Sequence, residues 1–465
     1  MAQHIFAGCN LTITTEGQRH LGAVVGQETH REEYIKGKVE KWIKDVEDLA
    51  IIATDEPQAA LSVYTKSICH RWAFVQRTIP NIKHLFTPLE DCIRQHLIPA
   101  VVGRTVSDLE RNIISLPVRL GGLGIANPTE TTEREYTSSR TVTEDLTTLI
   151  LQQEQDLSLY DRNITIAKVK SLKSSKEQLL AEKFDNIITT LDDSNNVSLK
   201  RCMILNKEKG SGSWLTALPL QEHGYCLNKQ EFRDAVSLRY GWRIQNTPQY
   251  CGCGAPNSID HTLICPKGGY TFMRHNALRD LNAEIQQEVC KDVVIEPSLL
   301  PCNKEEVSGT TADRAAPDIS SRGLWSTFER TFYDIRVMHP NAPSYQTKEI
   351  PALYIKHENE KKTKYNNRII TVEKGTFTPL VYSTFGGCGP EAKRYHKRLA
   401  QLISRKRNEE YHYVVNHIRR KIRFALLRSV LVALRGERGR KPGVTKPLAS
   451  TSFNLIPETM TYECP

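Results

Sequence analysis

The sequence predicts a multidomain protein of the α plus α/β class, with a helical amino-terminal region before a small mixed sheet. Three observations support this prediction. The chain has 465 residues, which is too long for one ordinary domain. Helical periodicity dominates its first half, whereas short strand-like runs separated by helices begin near residue 310. Three cysteines and a histidine cluster at 251–265, before those strand-like runs.

Composition excludes two broad classes. Hydrophobic residues make up 39% and charged residues 25% of the chain, so a core can form and global disorder is excluded. The longest apolar stretches, such as 424–434 with its internal Arg428, fall short of the roughly 18–20 residues that a transmembrane helix needs. The amino terminus lacks the pattern of a signal peptide. We therefore expect an intracellular protein without a membrane partner.

The first half of the chain reads mainly as helix. Residues 1–27 fit a strand followed by a tight, glycine-rich turn. Thr29 and Glu32 then match a capping box, and apolar residues at helical spacing predict a helix over 30–51. Helical patterns continue to about 113, and a glycine-punctuated loop follows at 116–125. The polar stretch 130–200 predicts solvent-exposed helices.

The second half is more varied. A glycine-serine hinge is predicted at 210–213, and a helix from Asn228 onward. One helix is predicted over 350–367, a basic helical region over 390–436 and a disordered tail from 441. Strand-like runs fall at 316–320, 328–337, 369–372 and 378–383.

The cysteine cluster has the composition of a metal site. Cys251 and Cys253 are separated by one glycine, and His261 and Cys265 follow at a spacing that places both on one helical face. Four thiolate and imidazole ligands suit tetrahedral zinc, and a closed set of four indicates a structural site.

Two alternatives to this ligand set stay open. His275 can replace Cys265 if that thiol turns away, or the cluster can be three buried thiols beside a surface histidine. Asp260 is a candidate to orient His261 from outside the ligand set. The other cysteines are scattered and fit ordinary buried thiols.

Two aspartates lie in predicted apolar strands, where burying a charged carboxylate is energetically unfavourable. Asp318 follows Pro317 at the start of an apolar strand, and Asp334 lies inside a second strand-like run. A carboxylate in a buried strand needs a hydrogen bond, an ion pair or a bound cation. Two of them on neighbouring strands can hold Mg²⁺, with waters completing its octahedron.

Cations that suit phosphodiester cleavage lie nearby. Such cleavage needs a metal to generate hydroxide and a cation to stabilise the transition state. Arg336 is one candidate cation, and Glu373 is a candidate further carboxylate. The competing interpretation is that Asp318 caps a turn while Asp334 pairs with Arg336 or Arg330. The helix predicted over 350–367 supplies Lys361, Lys362 and Lys364.

The positive charge is concentrated in one segment. Residues 393–446 hold 17 Lys or Arg against three Glu, whereas the rest of the chain holds 46 basic and 50 acidic residues. This asymmetry favours a phosphate-binding surface over a generally basic protein, although a solvated helix face gives the same pattern. The candidate nucleic-acid contacts are Arg405, Lys406, Arg407, Arg419, Arg420, Lys421 and Arg423.

Taken together, these motifs resemble one family, the carboxy-terminal half of non-LTR retrotransposon reverse transcriptase proteins that carry a restriction-like endonuclease. The order that carries the resemblance is a zinc knuckle, a Pro-Asp, an Asp within Phe-Tyr-Asp-Ile-Arg-Val, and then Lys-Lys-Thr-Lys-Tyr. Segments at 17–26, 116–125, 214–219 and 377–381 are similar to other segments of those proteins, so the resemblance covers roughly 5–440.

The resemblance implies a PD-(D/E)xK nuclease, a small mixed sheet flanked by helices, that nicks target DNA with Mg²⁺. It assigns the metal carboxylates to Asp318 and Asp334 and the lysine to Lys364 or a near neighbour. It also assigns structural zinc to the cysteine cluster. The implied domains are the end of a palm with a thumb-like region (1–130), a helical linker (131–248), a zinc knuckle (249–278) and the nuclease with basic helices (300–440).

Two departures from the family matter. Arg336 stands where the family has lysine, so the lysine must come from the following helix. The resemblance starts at the end of the palm, so we expect a remnant without a polymerase site, and not a reverse transcriptase. The implied function is Mg²⁺-dependent nicking in the nucleus, with target DNA and element RNA as partners. The alternative is a non-catalytic nucleic-acid-binding zinc protein from the same element.

Overall fold

A computed structural model describes residues 14–153, 160–301, 316–436 and 438. The chain divides into two compact units, Met1–Asn195 and Asn196–Pro465. The predicted mixture of helical and α/β structure is confirmed: helices predominate, and one small mixed sheet and a Cys/His cluster accompany them. The predicted tail from 441 and the beginning of the predicted first strand lie outside the described residues.

Unit 1 opens with a hairpin and continues as helices. Strands β1 and β2 pair antiparallel, with Gly17 opposite Gly26. The apolar spacing predicted for the first helix is correct, since Ile35, Val39 and Trp42 are buried along one face. The strands and helices are β1 Gly17–His20, β2 Ala23–Gly26, α1 Glu28–Ala53, α2 Pro57–Lys66, α3 Ala73–Thr78, α4 Thr87–Cys92, α5 Ile98–Val102, α6 Asp108–Ser115, α7 Pro128–Leu151 and α8 Arg162–Asp193.

One local prediction in unit 1 is wrong. Helix α1 begins at Glu28 after Gln27, whose side chain makes no capping bond, so Thr29 lies inside the helix and does not form the expected capping box. The 116–125 loop has the expected glycine character, because a Cβ on Gly122 would lie 1.9 Å from the carbonyl oxygen of Leu116. That close approach of two backbone segments requires glycine.

Unit 2 contains both candidate sites. Its helix α11 (Lys229–Tyr240) begins with a capping box, in which Asn228 and Glu231 each accept a hydrogen bond from the other's backbone N–H. The elements are α9 Val197–Asn206, α10 Ser213–Thr216, α11 Lys229–Tyr240, α12 Ile259–Ile264, α13 Tyr270–Gln287, β3 Lys291–Ile295, β4 Ile319–Arg322, β5 Arg330–Met338, α14 Ile350–Arg368, β6 Thr376–Ser383, α15 Pro390–Arg407 and α16 Tyr411–Arg435.

The sheet of unit 2 has the strand order β3-β4-β5-β6. The first three strands are antiparallel, whereas β5 and β6 are parallel and are joined through α14. Three of the four predicted strands are found. The prediction at 369–372 is wrong, because Ile369–Glu373 continues α14 as a π-helical turn and Ile369 packs against Phe332 and Tyr365. Strand β3 was not predicted.

Helix α16 forms much of the core of unit 2. It is buried along most of its length, from Val414 to Leu434, and contacts α10, α11, α12, α13 and α15. The predicted basic region is therefore two helices, separated by a turn at Asn408 in a left-handed conformation. No described helix has the length and apolar character to cross a membrane.

Candidate functional site

The four predicted zinc ligands converge. The ligand atoms of Cys251, Cys253, His261 and Cys265 all lie within 4.8 Å of one another. Cys251 Sγ and Cys265 Sγ are 3.8 Å apart, and Cys253 Sγ is 3.2 Å from His261 Nε2. A tetrahedral zinc ion about 2.3 Å from each thiolate separates two sulfurs by about 3.8 Å. The side chains present therefore fit a four-coordinate zinc site.

A tight turn and a short helix build this cluster. The turn at 251–255 is closed by the N–H of Gly254, which donates to the carbonyl of Cys251 at 2.8 Å. Gly254 has a φ of +92°, a conformation that favours glycine. Ser258 caps α12 by accepting from the N–H of His261. The helix then presents His261 and Cys265 on one side, as the sequence spacing predicted.

The two residues proposed as outer partners of the zinc site lie elsewhere. Asp260 Oδ1 is 2.8 Å from Nε2 of buried His339, so Asp260 does not orient His261. His275, the alternative ligand, lies 2.9 Å from Asp318. The structure therefore favours the ligand set with Cys265, whose thiol is buried beside Cys251.

The two predicted carboxylates lie opposite each other. Ile319 on β4 pairs with Tyr333 on β5, and the N–H of Asp318 donates to the carbonyl of Tyr333 at 2.8 Å. One step further along this antiparallel register, Asp318 faces Asp334. The prediction that neighbouring strands would bring Asp318 and Asp334 together is correct.

Each carboxylate has its own hydrogen-bond donors. The ring Nε2 of His275 lies 2.9 Å from Asp318 Oδ1, and the N–H of Ile335 donates to Asp318 Oδ2 at 2.5 Å. Lys361 Nζ donates to Asp334 Oδ2 at 2.9 Å. Asp318 therefore does more than cap a turn, and Asp334 pairs with a lysine rather than with Arg336.

Burial and neighbouring charges shift the pKa values of Asp334 and His275. Burial raises the pKa of Asp334, the neighbouring charge of Asp318 raises it further, and the ammonium of Lys361 opposes both effects. The hydrogen bond to Asp318 raises the pKa of His275. Two carboxylates side by side, one buried and one partly buried, produce a negative field, which Lys361 and His275 partly neutralise.

The four candidate cations of this region have different positions. Lys361 contacts Asp334, whereas Lys364 is exposed and its Nζ donates to Tyr365 Oη at 2.9 Å. Lys362 turns away to Glu391, at 2.5 Å. Arg336 pairs with Glu360 at 2.8 Å.

Glu373 does not join the two aspartates. It lies in an ion pair with Arg368, at 3.6 Å, and accepts the N–H of Leu300 at 2.9 Å. Its place at the end of the π-helical turn explains this, since the expected third strand would have directed it differently. Glu373 thus holds a loop to α14.

The predicted basic surface is only partly exposed. Arg405 and Lys406 are exposed, whereas Arg423 is buried, with 6% of its surface accessible. A buried guanidinium cannot contact nucleic acid on the outer surface, so Arg423 is a correction to the predicted set. Arg407 pairs with Glu288 at 2.6 Å. The residues of intermediate exposure are Arg407, Arg419, Arg420 and Lys421.

Sequence reasoning missed the contact of His275 with Asp318. The two residues are 43 positions apart, and no local pattern in the sequence connects α13 with the start of β4. No protein-family model and no curated protein matches this sequence. The zinc cluster and the paired carboxylates, both within unit 2, are therefore the basis for a functional argument.

Proposed function

We propose that the chain is a Mg²⁺-dependent DNA endonuclease that nicks one strand of its target. The observation that supports this most directly is the pairing of Asp318 and Asp334 on adjacent strands, with a lysine on Asp334. A mixed sheet with β4, β5 and β6 beside α14 agrees with a restriction-endonuclease-like fold. The resemblance of the motif order to the retrotransposon family supports the same proposal.

The carboxylates fit a hard cation. Asp318 and Asp334 offer oxygen ligands only, which Mg²⁺ prefers. Each Asp318 oxygen accepts one hydrogen bond, from His275 or from Ile335, and a carboxylate has about four acceptor positions. Acceptor positions are thus left for a metal. When bound there, Mg²⁺ would polarise the phosphate and acidify a coordinated water.

The surrounding residues have separate roles in this proposal. The backbone N–H of Ile335 and the ring of His275 fix both oxygens of Asp318, so that this carboxylate is oriented before substrate arrives. Lys361 places a positive charge at Asp334, where it can stabilise the negative charge that develops on the phosphate. Lys364, the sequence-predicted lysine, is exposed on the same helix and is the competing candidate.

The test is nicking of supercoiled plasmid by the purified full chain with Mg²⁺. Asp334→Asn keeps the shape of the side chain and removes its charge, so nicking should be lost. Asp280→Asn is the matched control, because Asp280 is exposed on α13 and pairs with its neighbour Arg279. Folding of each variant is checked by circular dichroism and by bound zinc.

Equal nicking by wild type and Asp334→Asn would contradict the proposed site, since it would show that the cleavage comes from elsewhere. Absence of nicking in both proteins, with DNA binding retained, would contradict the enzyme and favour the second candidate. That candidate is a non-catalytic nucleic-acid-binding zinc protein. The exposure of Arg405 and Lys406, together with a complete zinc-ligand set elsewhere in the sequence, favours it specifically.

Partners and location follow from the proposed substrate. Target DNA and element RNA are the proposed partners, and the nucleus is the proposed location because DNA is found there. Zinc would stabilise the fold of the knuckle, whereas magnesium would act in cleavage.

A further inference from the structure

Unit 2 contains a cavity of about 150 Å³ on the side of the sheet where β6 ends. Its walls come from Tyr382 and the loop residues Gly386 and Cys388, and from helices α15 and α16. The helices contribute Lys393, Lys397, Arg419 and Arg423. None of the described aspartates and glutamates lines the cavity. Lys209 also lines the cavity, which therefore has five cationic side chains and no described carboxylate in its lining. Such a cavity attracts an anion.

Arg423 is the unusual member of this lining. It is 6% exposed, and its Nε and Nη1 atoms have no hydrogen-bond partner among the described residues. Burial lowers its pKa to about 9, and the charge of Arg239 lowers it further. Buried guanidinium nitrogens without a hydrogen-bond partner are destabilising, since proteins pair or hydrogen-bond such charges.

The backbone leaves room for this guanidinium. Gly386 has a φ of +92°, and a Cβ there would lie 2.0 Å from Arg423 Nη1. Any larger residue would therefore displace Arg423 from the cavity wall. The close approach places the guanidinium beside the loop that closes one side of the cavity.

The carboxylate of Glu208 influences Arg423 without a hydrogen bond to its Nε or Nη1 atom. Glu208 acts on Arg423 through its charge, but the Nε and Nη1 atoms of Arg423 have no hydrogen-bond partner among the described residues. Glu208 instead accepts the hydroxyl of Tyr354 at 3.0 Å, and burial raises its pKa to about 7. Glu208 thus acts on Arg423 from outside the cavity lining and does not occupy the hydrogen-bonding positions of Nε and Nη1.

We propose that this cavity binds a phosphate group. Phosphate offers anionic oxygens to Arg423, and planar guanidinium groups bind such oxygens through parallel hydrogen bonds. A cavity of this size holds benzene in another protein, and phosphate has fewer heavy atoms than benzene. The lysines of α15 would contact the outward oxygens. The proposal does not depend on nuclease activity, because the cavity contains neither Asp318 nor Asp334.

Titration calorimetry of the full chain with inorganic phosphate tests this proposal, with ionic strength held constant by chloride. Arg423→Met removes the charge and keeps the length, so affinity should fall at least about tenfold. Lys397→Gln should weaken binding several-fold. Arg394→Gln is the matched control on α15, because Arg394 lies outside the cavity over the ring of Trp325. Its affinity should equal that of wild type.

A stability measurement separates this role from a purely structural one. If Arg423 binds an anion and does not stabilise the empty cavity, Arg423→Met without phosphate should melt at the same or a higher temperature than wild type. Phosphate should no longer raise the melting temperature of this variant. A lower melting temperature with the phosphate effect intact would overturn the proposal. Absence of phosphate binding to wild type would overturn it as well.

Two sources share this chemistry, and competition distinguishes them. An oligonucleotide with a 5′-phosphate that displaces inorganic phosphate from wild type, but has no such effect in Arg423→Met, assigns the cavity to a nucleic-acid phosphate. Failure of the oligonucleotide to displace bound inorganic phosphate assigns it to a free phosphate or a small phosphate ester. Both outcomes support the site.

Discussion

Lys361 Nζ lies 2.9 Å from Asp334 Oδ2, although the two residues belong to α14 and β5 and are 27 positions apart. Asp334 is buried in its strand, and the side chain of Lys361 is 19% exposed. The ammonium therefore compensates a carboxylate that burial alone would favour in its neutral form. It also places a cation beside the proposed metal ligands.

Lys361→Met should lower the nicking rate by about 100-fold, because it removes the positive charge at Asp334 and leaves the helix intact. Lys364→Met should lower it by less than about tenfold, since Lys364 donates to Tyr365 and acts on Asp334 only through its charge. Initial rates of plasmid nicking give both values. The reverse order of effects would assign the catalytic lysine to Lys364.

Zinc should copurify with the chain, and Cys253→Ser should lose it. Cys253 is exposed, so its replacement removes a ligand with little loss of core packing. Elemental analysis and thermal melting check this prediction, and a chelator should lower the melting temperature of the wild type. Cys69→Ser is the control, because Cys69 belongs to unit 1 and is not among the zinc ligands. Unchanged zinc content in Cys253→Ser would exclude the proposed ligand set.

Arg111→Met should lower the free energy of unfolding by about 3–5 kcal/mol, because it leaves the carboxylate of Glu90 buried without its partner. The guanidinium donates to both oxygens of Glu90 at 2.7 Å and to the carbonyl of Ile125 at 2.7 Å. Urea unfolding followed by circular dichroism measures the loss.

The control for this ion pair is on the surface. Arg94 contacts Asp108, whose side chain is 84% exposed. Arg94→Met should therefore change the stability by less than about 1 kcal/mol. Equal losses in the free energy of unfolding for Arg94→Met and Arg111→Met would show that burial does not determine the strength of the ion pair between Arg111 and Glu90.

Glu208 should make stability depend on pH. Burial raises its pKa to about 7 in the folded chain, from an ordinary value of 4.5. The folded state then holds the proton more tightly than the unfolded state, so this contribution is fully present below pH 4.5 and is lost as pH rises to about 7. Glu208→Gln should remove this dependence.

The difference between wild type and Glu208→Gln is the quantity to measure. The glutamine variant should gain up to about 3 kcal/mol over wild type between acidic and neutral pH. The amide oxygen of the variant still accepts the hydroxyl of Tyr354, so the comparison isolates the charge. A difference that stays constant from pH 4.5 to 7 would contradict the raised pKa of Glu208.

DNA affinity should depend steeply on salt if the exposed residues of α15 bind phosphates. Replacing both Arg405 and Lys406 with Gln should reduce the slope of log affinity against log salt by about 0.9 for each phosphate that is no longer neutralised. Fluorescence anisotropy with a labelled duplex gives the slope. A slope identical to that of wild type would exclude these two residues from the interface.

Patterns within short stretches of sequence predicted the fold and site well where the cause is local. The helix over 350–367 and the cysteine cluster both depend on spacing along a few turns, and both are confirmed in position. The β-branched residues of 369–372 favour a strand, as the sequence predicts. Packing of Ile369 against Phe332 and Tyr365 overrides that preference.

Interactions between distant segments were not predictable in the same way. The pairing of His275 with Asp318 depends on how α13 lies beside the sheet. Which lysine of α14 contacts Asp334 depends on the rotation of that helix about its axis, and the lysine that does so is Lys361. The basic residues around Arg423 predict that it belongs to an exposed charged surface, yet Arg423 lies on the buried face of α16. Local periodicity does not specify which side of a basic helix is covered.

The position of α16 in unit 2 has a consequence for how the chain folds during synthesis. Arg435 on α16 binds Asp234, 201 positions earlier, and Arg428 donates to the carbonyl of Cys226, 202 positions earlier. Every other described element of unit 2 precedes α16 in the chain. The ribosome must therefore deliver almost all of this unit before its core can close. Unit 1 is translated first, and its hairpin and helices pack against segments that are closer to them along the chain, so we expect it to fold earlier. Until α16 is translated, the apolar surfaces of unit 2 stay exposed and accessible to chaperones.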